Sequence, residues 1–335
     1  MNDQSNMRNA KIISTGMYVP ERIVPNSYFD ELLGENVSDW LEANVHIRNR
    51  RWCAENESTA DLCIEAAKVN LERAGLQPED IDLLIVCTDT PEYISPSTAA
   101  KVQYQLGMVN AGTFDLNSAC AGFVIGLDTA VKYLKADTHY EHVMVIGAYA
   151  MSKYLNQLDK KTCNLFADGA GGVILSATAQ EGAGYLASEL RTKGEYCDWM
   201  GIYAGGTHQP ITEEVIANKD QLLKFVKRFP SELNPDTWSD MARQLAHRSG
   251  TALEEVDQFL FTQININSIW ATMDQLGLDR SKAHTVMHEY GYTGSACIPM
   301  ALDEAVQLGK IKKGDLLYFI GSGGGLSFAS AAFKF

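Results

Sequence analysis

No apolar run in this chain approaches the ~18 residues that a membrane-spanning helix requires, and no secretory signal pattern opens it. Both absences lead to the expectation of a cytoplasmic protein without a membrane partner. Positive charge is also scarce: 28 Lys and Arg face 42 Asp and Glu, a net charge of −14. That balance opposes phosphate backbones and anionic lipid, so nucleic acid is not expected as a partner. Cysteine pairs are missing as well. The seven cysteines (53, 63, 87, 120, 163, 197 and 297) show no CxxC spacing, and their number is odd. A disulfide frame or thiolate zinc site is therefore not expected, and reduced thiols are. What remains is an ordinary globular composition, 46% hydrophobic and 21% charged.

The chain repeats itself. Gly75 to Asp89 resembles Gly250 to Ile264: a helical pattern ends at glycine, an acidic turn follows, and an apolar strand comes next. Gln105-Leu106-Gly107-Met108 is echoed by Gln275-Leu276-Gly277-Leu278, and Ser118-Ala119-Cys120 by Ser295-Ala296-Cys297. Two buried strand patterns, His142 to Gly147 and Leu316 to Gly321, complete the series. Four matches in one order, offset by about 175 residues, indicate a duplicated α/β unit with halves 1–180 and 181–335. Short apolar β-rich runs alternating with helical patterns predict mostly parallel strands layered with helices. Residues 186–240 lack a repeat. A Gly- and Pro-containing loop (Tyr203 to Ile211, with His208) is placed there as a substrate mouth or a plain connection, followed by a charged helix over 213–228.

Cys120 stands out within this frame. An apolar run ends at Asp115-Leu116-Asn117-Ser118-Ala119-Cys120, and small residues then open a helical pattern. A thiol at a helix N-terminus meets the positive end of the dipole and unpaired N–H groups, which favour thiolate. The alternative is a buried small hydrophobe.

Three motifs in order carry a resemblance: Ser118 to Phe123 before a helix, Phe166-Ala-Asp-Gly-Ala-Gly171, and Gly321-Ser-Gly-Gly-Gly325 near the C-terminal Ala-Ala-Phe-Lys-Phe335. The chain resembles the β-ketoacyl-ACP (3-oxoacyl-ACP) synthase III family of the thiolase superfamily, from Ile12 to the last residue. The resemblance implies a thiolase-like fold, two duplicated α/β halves in a five-layered αβαβα sandwich, and a homodimer. It implies that Cys120 accepts an acyl group from acyl-CoA or acyl-ACP, which serve as substrates with no further cofactor. The oxyanion hole would use the backbone N–H of Cys120 and Gly324. The Gln-x-Asn word puts Gln263 and Asn265 at the substrate, Trp40 matches the residue that stacks on adenine, and Lys160 or Lys161 matches a basic nucleotide contact.

The resemblance fails at the second half-reaction. The family's catalytic histidine is replaced by Thr262 and its asparagine by Tyr292. Both residues keep a hydroxyl donor, but neither has histidine's near-neutral pKa. His288, in a run read as strand, is an alternative donor. Asn44 and Asn267 replace basic contacts to nucleotide and carrier protein, leaving Lys224, Lys227 and Arg228 as a docking patch for an acyl carrier protein, or as a solvated face. Arg48, Arg50 and Arg51 read as surface charges near the coenzyme A entrance. Asp89 lies near the position of a catalytic glutamate in the related 3-hydroxy-3-methylglutaryl-CoA synthases. Asp89, or Glu92 three residues on, is there a general acid or base if burial raises its pKa; otherwise Asp89 starts a turn and Glu92 is a solvated carboxylate before Pro96. The expected activity is acyl transfer through Cys120 with malonyl condensation weakened or lost. The alternatives are a condensing enzyme using substitute donors and a non-catalytic subunit paired with an active paralogue in a heterodimer.

Overall fold

A computed structural model describes residues 8–180 and 182–335. Two sheets form the frame. The first orders its strands as Asn9–Tyr18, Asp168–Thr178, His142–Ala150, Leu83–Cys87 and Gly112–Leu116. The second orders Gly184–Thr192, Ser327–Lys334, Leu316–Gly323 and Gln258–Phe261. The sheets match strand for strand: two antiparallel pairings from the outer edge, then parallel ones. The fifth strand of the first sheet has as its counterpart a single parallel bridge, Phe259 to Ala283. The expected mostly parallel arrangement is corrected to a mixed one. Strand runs buried on both faces, such as Leu83–Cys87, carry no alternation that would reveal which direction a neighbour takes.

The repeated words fold alike. Gly75 and Gly250 close their helices at φ 67° and 68°, and Gly107 and Gly277 at 74° and 71°. Each is a left-handed C-cap, a conformation glycine reaches without a Cβ penalty. The long helices before them, Thr59–Ala74 and Leu233–Ser249, cover the outer faces of the first and second sheets respectively. Ser58 and Asp61 fix the start of the first of these with a capping box.

Gly122–Ala136 and Cys297–Gln307 fill the middle, each touching both sheets. Phe123, Leu127, Val131 and Leu134 are fully buried along the first of them, a helical-period stripe worth roughly 1.5–3 kcal/mol per side chain. Three apolar clusters occupy the space outside the first sheet, between the sheets, and outside the second. The layering is therefore αβαβα, as the resemblance implied. No helix among the described residues is long and apolar enough to cross a membrane.

The unrepeated stretch departs from expectation. A five-residue helix, Glu213–Ala217, and a short strand, Lys224–Phe225, replace the single helix expected over 213–228. That strand pairs with Met200–Gly201.

Candidate active site

Asn117 follows the edge strand Gly112–Leu116, and its Oδ1 accepts the Ala119 N–H at 3.1 Å. This Asx turn holds Ala119 at φ 45°, a left-handed conformation that costs an alanine energy and that clusters at functional sites. A 3₁₀ turn, Ala119–Ala121, then leads into the central helix and carries the buried Cys120. The triple-glycine turn of the second half presses on this backbone. A Cβ on Gly323 would lie 2.6 Å from the Cys120 nitrogen and from the Ser118 oxygen, so only glycine permits the approach.

Cys120 opens on a cavity of about 250 Å³, shared with Asp89, Asn117, Tyr149, Met151, Gly324 and Gly325. Cys197, Met200, Gly201, Ile202, Tyr203 and Leu223, all from the unrepeated stretch, form its other wall. Aromatic packing holds that wall. Trp199 stacks on Phe229 with centroids 5.5 Å apart, Tyr196 meets Trp199 edge-on at 4.6 Å, and the Lys227 ammonium lies 4.0 Å from the Trp199 centroid.

Burial, and after it the charge of Asp89, pushes the Cys120 thiol well above its ordinary pKa; the Tyr292 hydroxyl, donating to the sulfur, pulls it back. The helix start favours thiolate, as the sequence suggests, but desolvation of the buried sulfur acts the other way and is the largest influence on it. Asp89 is itself pushed up to about 6 by desolvation. Its side chain is half-buried, yet Oδ1 is sealed from solvent without a hydrogen-bond partner. Tyr292 is set by its backbone, which exchanges hydrogen bonds with Leu165 and Ala167 at 2.9 Å each.

The other sequence-derived candidates divide sharply. Thr262 is buried, but its hydroxyl donates to the Ser322 carbonyl at 3.2 Å and accepts the Ser322 N–H at 2.9 Å. Gln263 spans the His284 carbonyl and the Val286 N–H, and Asn265 caps the helix Ile266–Leu276. These two amides hold the backbone together. His288 sits in a short helix, Met287–Tyr290, where a strand was expected. His208 is exposed. Neither histidine lines the cavity. Arg50 is no surface charge: it is fully buried, bonded to Val24 and Asn26 and laid over Phe29. Arg48 pairs with Glu42 in solvent, and Arg51 bonds the Pro20 carbonyl. Trp40 is 55% exposed, Lys160 pairs with Glu35, and Lys161 is exposed. Lys224 pairs with Asp220, whereas Lys227 and Arg228 face solvent. Glu92 pairs with Lys101 and accepts the Ala60 N–H.

Sequence reasoning missed Ala119, Asn117, Tyr149 and Gly323. Asn117 was open to detection, since Asn directly after a strand announces an Asx turn. The close approach of Gly323 has no local signal.

A layered, duplicated α/β fold with a cysteine on a strand-to-helix turn and a glycine turn against its backbone defines a thiolase-like enzyme. The family model described as 3-oxoacyl-[acyl-carrier-protein (ACP)] synthase III matches residues 114–194, and its C-terminal companion matches residues 246–335. A β-ketoacyl-[acyl-carrier-protein] synthase III of Natranaerobius thermophilus is 34% identical, covering 98% of this chain and all of that one. The one from Oceanobacillus iheyensis is 36% identical over 97% and 99% of the two chains. The crystal structure of 3-oxoacyl-[acyl-carrier-protein] synthase III from Aquifex aeolicus superposes with a TM-score of 0.87 at 30% identity, covering 97% of this chain and 100% of the other. The chain belongs to the 3-oxoacyl-ACP synthase III family of the thiolase superfamily.

Proposed function

We propose that this family member is an acyltransferase in which malonyl decarboxylation and condensation are weak or absent. The Cys120 sulfur attacks the carbonyl of an acyl-CoA or acyl-ACP, the carrier leaves as its thiol, and the acyl-enzyme passes its acyl group to a second substrate. The Cys120 and Gly324 N–H groups receive the oxyanion, each worth on the order of 3 kcal/mol. One observation carries the reading: the pairing of the two residues that replace the usual donors. Decarboxylation leaves a thioester enolate that needs hydrogen-bond donors on its oxygen. The Thr262 hydroxyl is spent on the Ser322 backbone, and that of Tyr292 serves the Cys120 sulfur.

The exposed ring of Trp40 and the ammonium groups of Lys160 and Lys161 suit a coenzyme A nucleotide. Lys227 and Arg228 offer an acidic carrier protein its contact. The protein acts as a homodimer in this reading. Gly112–Leu116 is an edge strand with no partner on its outer side among the described residues, and exposed Ile94, Tyr104 and Val109 precede it in sequence.

Native mass spectrometry after incubation with acyl-CoA tests these points together. The expected result is a species of two chains carrying an acyl adduct on each, with the adduct lost in Cys120→Ala. Product analysis with malonyl-ACP follows, and efficient formation of a 3-oxoacyl product overturns the loss of condensation.

A further inference from the structure

Asp89 is the one side chain lining the Cys120 cavity that carries a formal charge; the other described lining residues are thiols, phenols, an amide, apolar groups and glycines. No lysine, arginine or histidine stands there to neutralise an anion. One carboxylate oxygen of Asp89 is sealed away without a donor, which leaves the group poorly stabilised as an anion and ready to accept a proton. An acceptor bearing its own carboxylate, as a malonyl thioester does, would bring a second negative charge into this low-dielectric space.

Resting on the acyl-transfer reading, we propose that the second substrate is a neutral protic nucleophile, an amine in its free-base form or an alcohol, and that Asp89 deprotonates it. As the nitrogen or oxygen attacks the acyl-Cys120 carbonyl, its proton moves to the Asp89 carboxylate. The new carbon–heteroatom bond forms, the carbon–sulfur bond breaks, and Cys120 leaves as thiolate. The protonated Asp89 then returns the proton to the sulfur, which restores both groups. The sequence is electrostatically consistent: the thiolate appears only after Asp89 has lost the charge that opposes it. Cys120 and Tyr149 share the cavity with Asp89, and burial first, then the Asp89 charge, pushes these two groups and the Tyr154 phenol upward. None of the three ionises near neutral pH, so the low-pH limb belongs to Asp89, whose carboxyl burial lifts to about 6.

The test is single-turnover decay of preformed acyl-enzyme with a four-carbon primary amine, the matching alcohol, or malonyl-CoA. In the wild type, transfer to the alcohol rises as pH climbs through about 6 and levels above it, transfer to the amine carries the same limb and goes on rising with its free-base fraction, and malonyl-CoA drains the adduct at least tenfold more slowly. Asp89→Asn slows transfer a hundredfold or more, in the range expected for a lost general base, and abolishes the limb. The adduct that Asp89→Asn still forms on Cys120 shows that the site is folded. Asp89→Glu, which keeps the carboxylate, retains the limb at a reduced rate. A limb that persists in Asp89→Asn, wild-type transfer in that variant, or faster consumption of the adduct by malonyl-CoA overturns the proposal. Failure of the wild type to form any adduct instead overturns the acyl-transfer reading beneath it.

Discussion

Two cysteines begin the two central helices, and they differ in almost everything except position. Cys120 lines a cavity beside Asp89; Cys297 is sealed at 1% exposure, its thiol pushed up to about 12 by burial. Around each turn the opposite half supplies a glycine where the backbones nearly touch. Gly323 rests on Cys120, and a Cβ on Gly147 would strike the carbonyl of Ser295. The scaffold of a nucleophile was thus built twice. What sets the two copies apart is not repeated: the wall of residues 197–223, and Asp89, whose counterpart at the end of the matching segment is Ile264.

Breaking the clamp on one side gives the largest effect. Gly323→Ala displaces the Cys120 N–H, and acylation, followed by mass, falls about a hundredfold, the usual cost of misplacing a reacting group by an ångström. Wild-type acylation in that variant would mean that the contact does not set the nucleophile. A sharper probe is Tyr292→Phe, which removes a donor that lowers the pKa of the Cys120 thiol. Its rate of alkylation by iodoacetamide at pH 8 drops about tenfold, the scale of one lost hydrogen bond, and the pH curve moves upward. Iodoacetamide kinetics identical to the wild type would dismiss the tyrosine. The smallest effect belongs to the other copy: Cys297→Ala keeps the acyl adduct and lowers stability by about 1 kcal/mol in denaturant unfolding. Loss of the adduct there would end the contrast between the two thiols.

The sequence already held much of the frame. Left-handed C-caps need glycine, so Gly75 with Gly250 and Gly107 with Gly277 betrayed the duplication before any coordinates were known. Strand direction did not show, because runs such as Leu83–Cys87 are buried on both faces whichever way their neighbours point. Cys120 was legible from its place between a strand and a helix. Asp89 was ambiguous, since Thr88-Asp89-Thr90-Pro91 reads as turn and its seclusion depends on residues far along the chain. The orientation of Tyr292 was equally hidden: it follows from a bridge to Phe166 that no local pattern announces. Arg50 reads as a surface charge in sequence and proves buried because Asn26 and the Val24 carbonyl reach its guanidinium.

The aromatic staple of Tyr196, Trp199 and Phe229 has a consequence for how this protein changes over generations. Through Tyr196 and Phe229 it ties the cavity wall to the apolar cluster outside the second sheet, while Met200, Ile202 and Leu223 pack into the cluster between the sheets and Tyr203 belongs to neither. Selection on what the enzyme accepts and selection on whether it folds therefore act together on Met200, Ile202 and Leu223, and come apart at Tyr203. A mutant library at Tyr203 would explore new substrates with little loss of folded protein, whereas one at the buried Leu223 would lose stability as well.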